Sequence, residues 1–243
     1  MAYDGEMGAD QRIDREHEAV AGTERRRLRA DAARNRAAII EAAREVFAEH
    51  GLEAPLEEIA CRAGVGIATL YRRFPGREQL IAAALVEKVT QYAEAAADAL
   101  AVADPWAGFA DYVQRICELQ AADRGLSELL SMTLSADEHI EELRATANGR
   151  VIELIDRAKA AGRLREDFVG EDLLLLLIAS AAVAQVTRAD APDAWRRFVA
   201  LALDAFQCRD SPRLPLPPST AQMNRAMGRL AATRGCRARP GLG

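Results

Sequence analysis

Aromatic residues are scarce in this chain of 243 residues: they make up 5% of it, whereas half of the residues are hydrophobic. Runs in which β-branched and polar residues alternate, the usual signature of a half-buried strand, are almost absent. The scarcity of strand signals argues against a β-sandwich or a barrel, and the apolar residues suffice for the cores of one large or two modest helical domains. The composition therefore predicts an all-α fold.

Cysteine and histidine are also few and widely spaced. The three histidines are far apart and the four cysteines include no C-x-x-C pair, so no metal-binding spacing is present. No cofactor and no metal are expected, and the cysteines are expected to be reduced thiols. Cys61 lies within a predicted helix, where it is either a redox sensor or a plain small side chain, and the second interpretation is favoured. The other cysteines are Cys117, Cys208 and Cys236.

Long hydrophobic runs and a secretory signal are missing as well. The longest apolar run, residues 173–186, contains Ser180 and Gln185 and is shorter than the ~20 residues that a membrane-spanning helix needs. The N-terminal segment is acidic and lacks the apolar stretch of a signal peptide. We therefore expect a cytoplasmic protein with no membrane partner.

The charge is unevenly distributed, although the net charge of −5 does not suit a bulk nucleic-acid binder. Residues 23–90 carry twelve basic and ten acidic side chains (net +2), whereas residues 91–208 carry eleven and twenty (net −9). DNA phosphates would repel the second segment, so the first is the part of the folded body expected to face DNA.

Two short helices separated by a tight turn are predicted between Pro55 and Phe74. Apolar residues recur at helical spacing in both helices. Gly64 ends the first helix, because glycine tolerates the left-handed conformation, and Pro75-Gly76 ends the second. This arrangement is a helix-turn-helix. The inward residues are Leu56, Ile59, Ala60 and Ala63 in the first helix and Ile67, Leu70 and Phe74 in the second.

The opposite face of the second helix carries groups suited to DNA. Two small residues let the backbone approach a groove, two hydroxyl groups can donate to phosphate oxygens, and two arginines can contact phosphates or read guanine edges. These candidate residues are Gly66, Ala68, Thr69, Tyr71, Arg72 and Arg73. The alternative interpretation is a solvated cationic face. It is disfavoured because residues 66–77 contain three arginines and no acid.

A series of short motifs within residues 33–92 matches a known pattern. The motifs are Ile39-Ile40-Glu41-Ala42-Ala43, Val46-Phe47, His50-Gly51, Ile59-Ala60, Ala63-Gly64-Val65, Thr69-Leu70-Tyr71-Arg72-Arg73-Phe74 and Arg77-Glu78-Gln79-Leu80. Together they resemble the DNA-binding domain of the TetR (tetracycline repressor) family of bacterial transcription regulators. The series is far more specific than a helix-turn-helix pattern alone.

The resemblance implies a helical homodimer whose C-terminal bundle binds a small-molecule effector and controls affinity for a double-stranded DNA operator. It favours a repressor that the effector releases from a palindromic operator. It also implies that Thr69 and Tyr71 contact phosphate, and that Arg77 stands where the family often has a lysine near the start of the fourth helix. Two departures are Arg73, where the family often has histidine, and Pro55, where many relatives have a capping serine or threonine that touches phosphate.

Four segments are predicted along the chain. They are a flexible leader with a basic arm (1–30), the DNA-binding domain (31–92), a ligand-binding and dimerisation domain (93–208) and a disordered basic tail (209–243). The arginines of the leader, with Arg26 and Arg27 as the candidates, either reach phosphate or the minor groove, as in some relatives, or are a solvated charge run. A fourth helix over about residues 76–100 is shared by both central domains and is a candidate lever.

Further helices are predicted near residues 105–122, 126–134, 137–161, 171–187 and 191–208. The last two are apolar on more than one side, which predicts a four-helix dimer interface; the alternative is a helix buried within a monomer. The interface candidates are Leu174, Leu177, Trp195, Phe198, Leu201 and Phe206.

A ligand pocket is expected in the C-terminal domain. Its candidate residues are Trp106, Phe109, Tyr112, Cys117, Leu130 and Met132, although the same spacing fits a core. One rival interpretation is a helical enzyme that uses Ser127, Ser131, Asp137 and His139, but no nucleophile elbow, phosphate loop or metal cluster supports it. A second rival is an interaction module that has lost DNA binding, against which the intact motif 69–73 argues. No catalytic residue is assigned.

Overall fold

The computed structural model describes residues 7–130, 138–208 and 212–237, and within them the fold is all-α, as predicted. A single isolated bridge between Leu164 and Gln207 is the one β-type pairing there. The ten helices of the described residues are α1 (Met7–His50), α2 (Leu56–Arg62), α3 (Ile67–Arg73), α4 (Arg77–Ala101), α5 (Pro105–Ala122), α6 (Arg124–Leu130), α7 (Glu138–Ala160), α8 (Gly170–Thr187), α9 (Ala194–Phe206) and α10 (Thr220–Arg237).

The N-terminal core encloses the helix-turn-helix. Ile39, Val46 and Phe47 on α1 are fully buried, as their helical spacing predicted, and they pack with Leu70 of α3 and Leu80 of α4. Residues of α6 and α7 join the same cluster. The short helices α2 and α3 therefore derive their stability from packing on α1 and α4, because seven-residue helices are not stable alone.

The second core lies in the bundle of α4, α5, α7, α8 and α9. The two cores share α4: its residues Leu80 to Val89 belong to the first and Tyr92 to Ala99 to the second. Guanidinium groups of α7 fix its register against α4, because Arg150 donates to the Ala93 carbonyl and Arg157 to the Leu100 carbonyl. The residue numbers of the bonded partners increase in the same direction along both helices, so α4 and α7 run parallel.

The predicted flexible leader (1–30) is helical in the part that the structure describes, since α1 begins at Met7. The segment lacks an apolar stripe, and the prediction took this as a sign of flexibility. However, residues 7–30 contain no proline and are rich in alanine, glutamate and arginine, which all favour helix. The missing apolar stripe therefore does not exclude a helix.

The predicted disordered tail also contains a helix, α10, after an extended linker at residues 212–219. The Leu214 N–H donates to Asp167 Oδ2 (2.9 Å), and the Thr220 hydroxyl donates to Glu171 Oε1 (2.5 Å). Met223 of α10 is 6% exposed. The prolines of the segment thus define the linker, and methionines at positions 223 and 227, which share one helix face, are the signal that the prediction missed.

One described helix, α8, is long and apolar enough to cross a membrane by length and composition alone. Leu173, Leu176, Ser180 and Ala184 are buried, and α8 packs against α5 and α9. Leu175 and Val186 are exposed, so only part of the apolar surface of α8 is used within the described fold.

Candidate DNA-binding surface and ligand cavity

The turn of the helix-turn-helix is set by Gly64. Its φ of +66° lies in the left-handed region, which costs glycine far less than other residues. The Val65 N–H donates to the Ala60 carbonyl (3.0 Å) and the Gly64 N–H to the Cys61 carbonyl (3.1 Å). This pair of bonds is a Schellman motif, and it sets the angle at which α3 leaves α2.

Helix α3 is anchored by its apolar side. Leu70 is fully buried and Phe74 is 3% exposed, whereas Ile67 is half-buried. Gly66 is the N-cap, and its carbonyl accepts the N–H groups of Thr69 (2.8 Å) and Leu70 (3.2 Å). The burial of one side determines which side chains face outward.

The outward side of α3 brings together the predicted DNA-binding residues of this helix. Tyr71 is 48% exposed, and Arg72 is also exposed. Thr69 and Arg73 are half-buried, and the buried Arg73 Nε has no hydrogen-bond partner among the described residues. Exposed small residues at the start of the helix, Gly66 and Ala68, leave room for close approach.

Charges around the helix-turn-helix are partly neutralised within the chain. Arg62 of α2 forms ion pairs with Glu49, Glu58 and Glu45 at 3.1–3.6 Å. Its hydrogen bond lowers the pKa of the Glu49 carboxyl. Arg62 is thus held by acids, whereas Arg72 of α3 and Arg36 of α1, whose guanidinium lies over the Phe74 ring, are exposed.

Arg77 has an internal contact that the sequence did not indicate. Its guanidinium is half-buried, and one nitrogen, Nη1, donates to the carbonyls of Leu52 and Ala54, each at 2.7 Å. The residue therefore fastens the start of α4 to the loop between α1 and α2. Its predicted contact with phosphate stays a prediction.

A buried carboxylate holds the same loop from the other side. Glu128 on α6 is 8% exposed, and its Oε2 accepts the Leu52 N–H at 2.8 Å while Arg124 donates to its Oε1 at 3.1 Å. A Cβ on Gly51 would lie 2.7 Å from both carboxylate oxygens. The loop between α1 and α2, which positions the helix-turn-helix, is thus bound by α4 and by α6.

The two arginines predicted for the arm, Arg26 and Arg27, are exposed on helix α1 and not on a flexible segment. Pro55 is the N-cap of α2 and provides no side-chain hydrogen bond there. Cys61 and Cys208 are exposed, whereas Cys117 is buried. Burial raises the pKa of the Cys117 thiol to about 11, so this thiol is unreactive in the folded chain.

The predicted pocket residues of α5 do not line the cavity that lies between α4, α5, α7, α8 and α10. Trp106, Phe109 and Tyr112 pack into the aromatic core with Phe168, the ring centroids of Phe109 and Phe168 being 5.6 Å apart. Neither these three residues nor Cys117 line the cavity. Of the other two candidates, Leu130 ends α6 and Met132 lies outside the described residues. Large side chains predicted to line a pocket instead fill the core.

The cavity has a volume of about 550 Å³ and lies between α4, α5, α7, α8 and α10. Tyr92 and Gln120 face it from α4 and α5. Burial raises the pKa of the Tyr92 hydroxyl. The cavity walls combine apolar side chains with polar and charged ones, and the volume is within the range of small-molecule sites.

The predicted dimer residues are divided between the inside and the outside of the chain. Leu177 and Leu174 line the cavity, Trp195 is 4% exposed, and Phe206 packs on Phe168 with ring centroids 4.8 Å apart. Phe198 packs partly buried against the core, and Leu201 is 61% exposed. The other exposed large apolar residues of α8 are Leu175 and Val186.

The rival enzyme interpretation gains no site from the structure. Ser131 and Asp137 lie outside the described residues, and His139 is exposed beside Glu142 at 3.9 Å. Across the described residues, no group of three potential metal ligands comes together.

A helix-turn-helix with an exposed tyrosine and arginine, joined to a helical bundle with a cavity, defines the class of ligand-responsive, DNA-binding regulators of transcription. Comparisons with known proteins agree. Residues 39–84 match the family described as bacterial regulatory proteins of the tetR family. Residues 104–207 match the family described as the C-terminal domain of SbtR-like transcriptional regulators. No curated protein matches the chain.

Several solved structures are similar to the chain. The chain is similar to the TetR transcriptional regulator SCO0520 from Streptomyces coelicolor, with 33% identity, 71% of this chain and 98% of that chain covered, and a TM-score of 0.49. A TetR regulatory protein from Mycobacterium vanbaalenii has 31% identity, 74% and 99% coverage and a TM-score of 0.45. FadR from Bacillus subtilis, solved with stearoyl-CoA, shares the fold at 19% identity, 69% and 95% coverage and a TM-score of 0.53. The chain belongs to the TetR family of bacterial transcriptional regulators, which confirms the resemblance.

Proposed function

We propose that this regulator is a dimeric repressor that binds a palindromic operator through α3 and leaves it when a small molecule binds the C-terminal domain. The observation that carries the DNA-binding half is the exposed face of α3. Tyr71 and Arg72 project from a helix whose other side is anchored by Leu70 and Phe74. It acts in the cytoplasm by binding, without catalysis.

The operator is the first test of this proposal. Two recognition helices of a symmetric dimer enter major grooves about 34–36 Å apart. Selection of sites from random duplex DNA is therefore expected to return a dyad-symmetric sequence. A selection that enriches only asymmetric sequences, or none, would contradict the proposal.

The side chains of α3 are expected to divide into two roles. Thr69→Ala and Tyr71→Phe should weaken binding to every sequence about equally, because contacts to phosphate carry no sequence information. Arg72→Ala or Arg73→Ala, where the guanidinium reads a base, should cost ~1–3 kcal/mol and relax preference at one position of each half-site. Titrations against all single-base variants of the selected site separate these outcomes. Uniform losses for both arginines would make them phosphate contacts.

Arg26, Arg27 and Arg77 are proposed as further contacts outside α3. Replacing Arg26 and Arg27 together by glutamine should reduce the salt dependence of operator binding, because each phosphate contact releases counterions. If the dependence of operator affinity on salt concentration is unchanged, Arg26 and Arg27 are a solvated charge run and do not contact phosphate. Arg77→Gln is expected to have two effects, because it removes both the proposed phosphate contact and the hydrogen bonds to the carbonyls of Leu52 and Ala54.

The dimer is proposed to form on the outer face of α8 and α9. These helices pack against each other and leave Leu175 and Leu201 44% and 61% exposed. A C2 interface needs such a self-complementary apolar surface. Leu201→Arg is expected to sediment as a monomer, whereas Leu216→Arg in the linker before α10, where Leu216 is 96% exposed, should stay dimeric. A monomeric unmutated chain would contradict the proposed dimer. If both variants stay dimeric, the interface lies elsewhere.

The effector is proposed to lower operator affinity by preferring one spacing of the recognition helices. A coupling free energy of about 1–3 kcal/mol gives roughly a 5–150-fold loss, and DNA must weaken effector binding by the same factor. The stearoyl-CoA of the FadR structure supports a ligand in this fold. Measuring effector affinity with and without operator tests the coupling, and equal affinities would exclude that molecule as the inducer.

A further inference from the structure

The cavity is elongated along the helices that surround it. Its lining residues on α7 extend from Glu141 to Ile155, which at ~1.5 Å per residue corresponds to about 21 Å. The C-terminal end of α8 lies beside the C-terminal end of α5, because Arg188, which directly follows α8, donates to the Ala121 carbonyl. Gln120 and Glu141 are thus at the end nearest the DNA-binding domain, and Gly170 is at the opposite end.

An unpartnered polar group marks the inner end. Gln120 is 4% exposed, and its Oε1 has no hydrogen-bond partner among the described residues. A buried acceptor without a donor is costly, because it has lost its hydrogen bonds to water. Gln120 is one of the residues that line the cavity, so a bound molecule that reaches this side chain with an O–H or N–H group would satisfy the oxygen.

The charged groups of the wall have partners within the chain. Arg144 lies 3.3 Å from Glu141, and Glu171 accepts the Thr220 hydroxyl. The remainder of the wall is chiefly aliphatic, with Val151, Ile155 and leucines of α8. An anionic head group beside Gln120 would lose its hydration and would have to compete with Glu141 for Arg144, which is costly.

Helix α10 closes the cavity on one side. Met223 and Met227 line it together with Thr220 and Asn224. This helix lies beyond residues 104–207, where the family match of the C-terminal domain ends. Methionine side chains are flexible and adapt to apolar ligands of varied shape, so α10 adds an adaptable apolar wall to the bundle.

We propose that this cavity binds an elongated, uncharged amphiphile, whose hydroxyl or amide hydrogen donates to Gln120 Oε1 and whose hydrocarbon body packs against the methionines of α10. The inference rests on the proposed function in one respect: this ligand is the effector. The effector is then an uncharged amphiphile that binds with its polar end toward the DNA-binding domain.

A pair of isomers tests the polar contact in the full chain. 1-Decanol and 1-methoxynonane have the same atoms, but only the alcohol has a hydrogen-bond donor. Calorimetric titration should show that the alcohol binds about 3- to 10-fold more tightly, as expected from one hydrogen bond. Gln120→Met should reduce this preference to less than about twofold, whereas Gln114→Met, on the exposed side of α5, should keep it. Circular dichroism melting curves check that each variant folds.

The uncharged head group and the methionine wall are tested separately. Decanoate should bind more weakly than 1-decanol, because Glu141 already pairs with the guanidinium of Arg144. Replacing Met223 and Met227 together by alanine should weaken both isomers by a similar factor. Equal binding of the isomers to the unmutated chain, a preference that survives Gln120→Met, tighter binding of decanoate, or no binding of either isomer would each overturn the inference.

Operator binding distinguishes this inference from the proposed function. Anisotropy titrations with a labelled selected site require no effector, so they test α3 independently. Intact operator binding without binding of either isomer would overturn only the inference about the cavity. Binding of 1-decanol without any change in operator affinity would overturn the proposed role of the ligand as effector.

Discussion

Replacing Glu128 by alanine is expected to destabilise the chain, because its carboxylate is the acceptor for a buried backbone N–H. Leu52 is 3% exposed and its nitrogen lies 2.8 Å from Glu128 Oε2, so the alanine variant leaves this buried N–H without its acceptor. An unpaired buried N–H costs about 1–3 kcal/mol. Arg124 is 42% exposed, so loss of this ion pair adds less than about 1 kcal/mol. The expected loss of unfolding free energy is therefore about 1–4 kcal/mol.

A glutamine at the same position separates the hydrogen bond from the charge. Glu128→Gln keeps an acceptor oxygen for Leu52 and loses only the ion pair, so its loss should stay below about 1 kcal/mol. Urea denaturation at a fixed protomer concentration measures both variants, since the stability of a dimer depends on concentration. Glu153→Ala on the exposed face of α7 is the control, expected within about 0.5 kcal/mol of the unmutated chain. Equal losses for the two Glu128 variants, or no loss for either, would refute the reasoning.

Three further outcomes are expected. Gly64→Ala should destabilise by about 1–2 kcal/mol, because alanine is strained at a positive φ, whereas Gly149→Ala within α7 should stabilise by about 0.5–1 kcal/mol; urea midpoints that shift alike would contradict this. Cys117 should react with a thiol reagent at pH 8 only after unfolding, and rapid reaction in the native chain would show that it is accessible. The hydrogen bond from Arg165 lowers the pKa of Asp167 to about 2. Its stabilising contribution is therefore present above about pH 4 and lost as the pH falls toward 2. Asp167→Asn should flatten the acid limb of the stability curve, and an unchanged limb would rule this out.

The helix-turn-helix was predictable because its signals are local. The spacing of Leu70 and Phe74 predicts the buried side of α3, and Gly64 predicts the turn. Each of these signals spans a few residues, and each is found in the structure. The same holds for α5, whose start at Pro105 follows the capping residue Asp104, since that carboxylate accepts two N–H groups of the first turn.

Features that depend on distant contacts were not predictable in this way. Glu128 and Leu52 are 76 residues apart, and a lone glutamate in a helix is ordinarily solvated. Gln120 gives no local sign that it will be buried beside a cavity. The pocket prediction chose large aromatic residues such as Phe109, but such side chains fill space and the cavity remains where they are absent. Helix α10 depends on packing of Met223 against the bundle, which composition alone does not reveal.

The cavity is connected to the DNA-binding domain by a short stretch of chain. Gln120 lies in the last turn of α5, and Asp123, immediately after that helix, accepts an N–H of α6 at 2.9 Å. Helix α6 carries Glu128, which holds the Leu52 N–H, while Arg77 of α4 holds the Leu52 carbonyl. A ligand that moves the end of α5 therefore moves one of two supports of the loop before the helix-turn-helix, whereas α4 provides the other. Transmission through α4 alone, as the sequence suggested, would leave the loop bound to an unmoved α6. In the mechanism proposed above, α4 and α6 would therefore have to move together for the recognition helix to rotate, and a ligand in contact with Gln120 would act on the second of these.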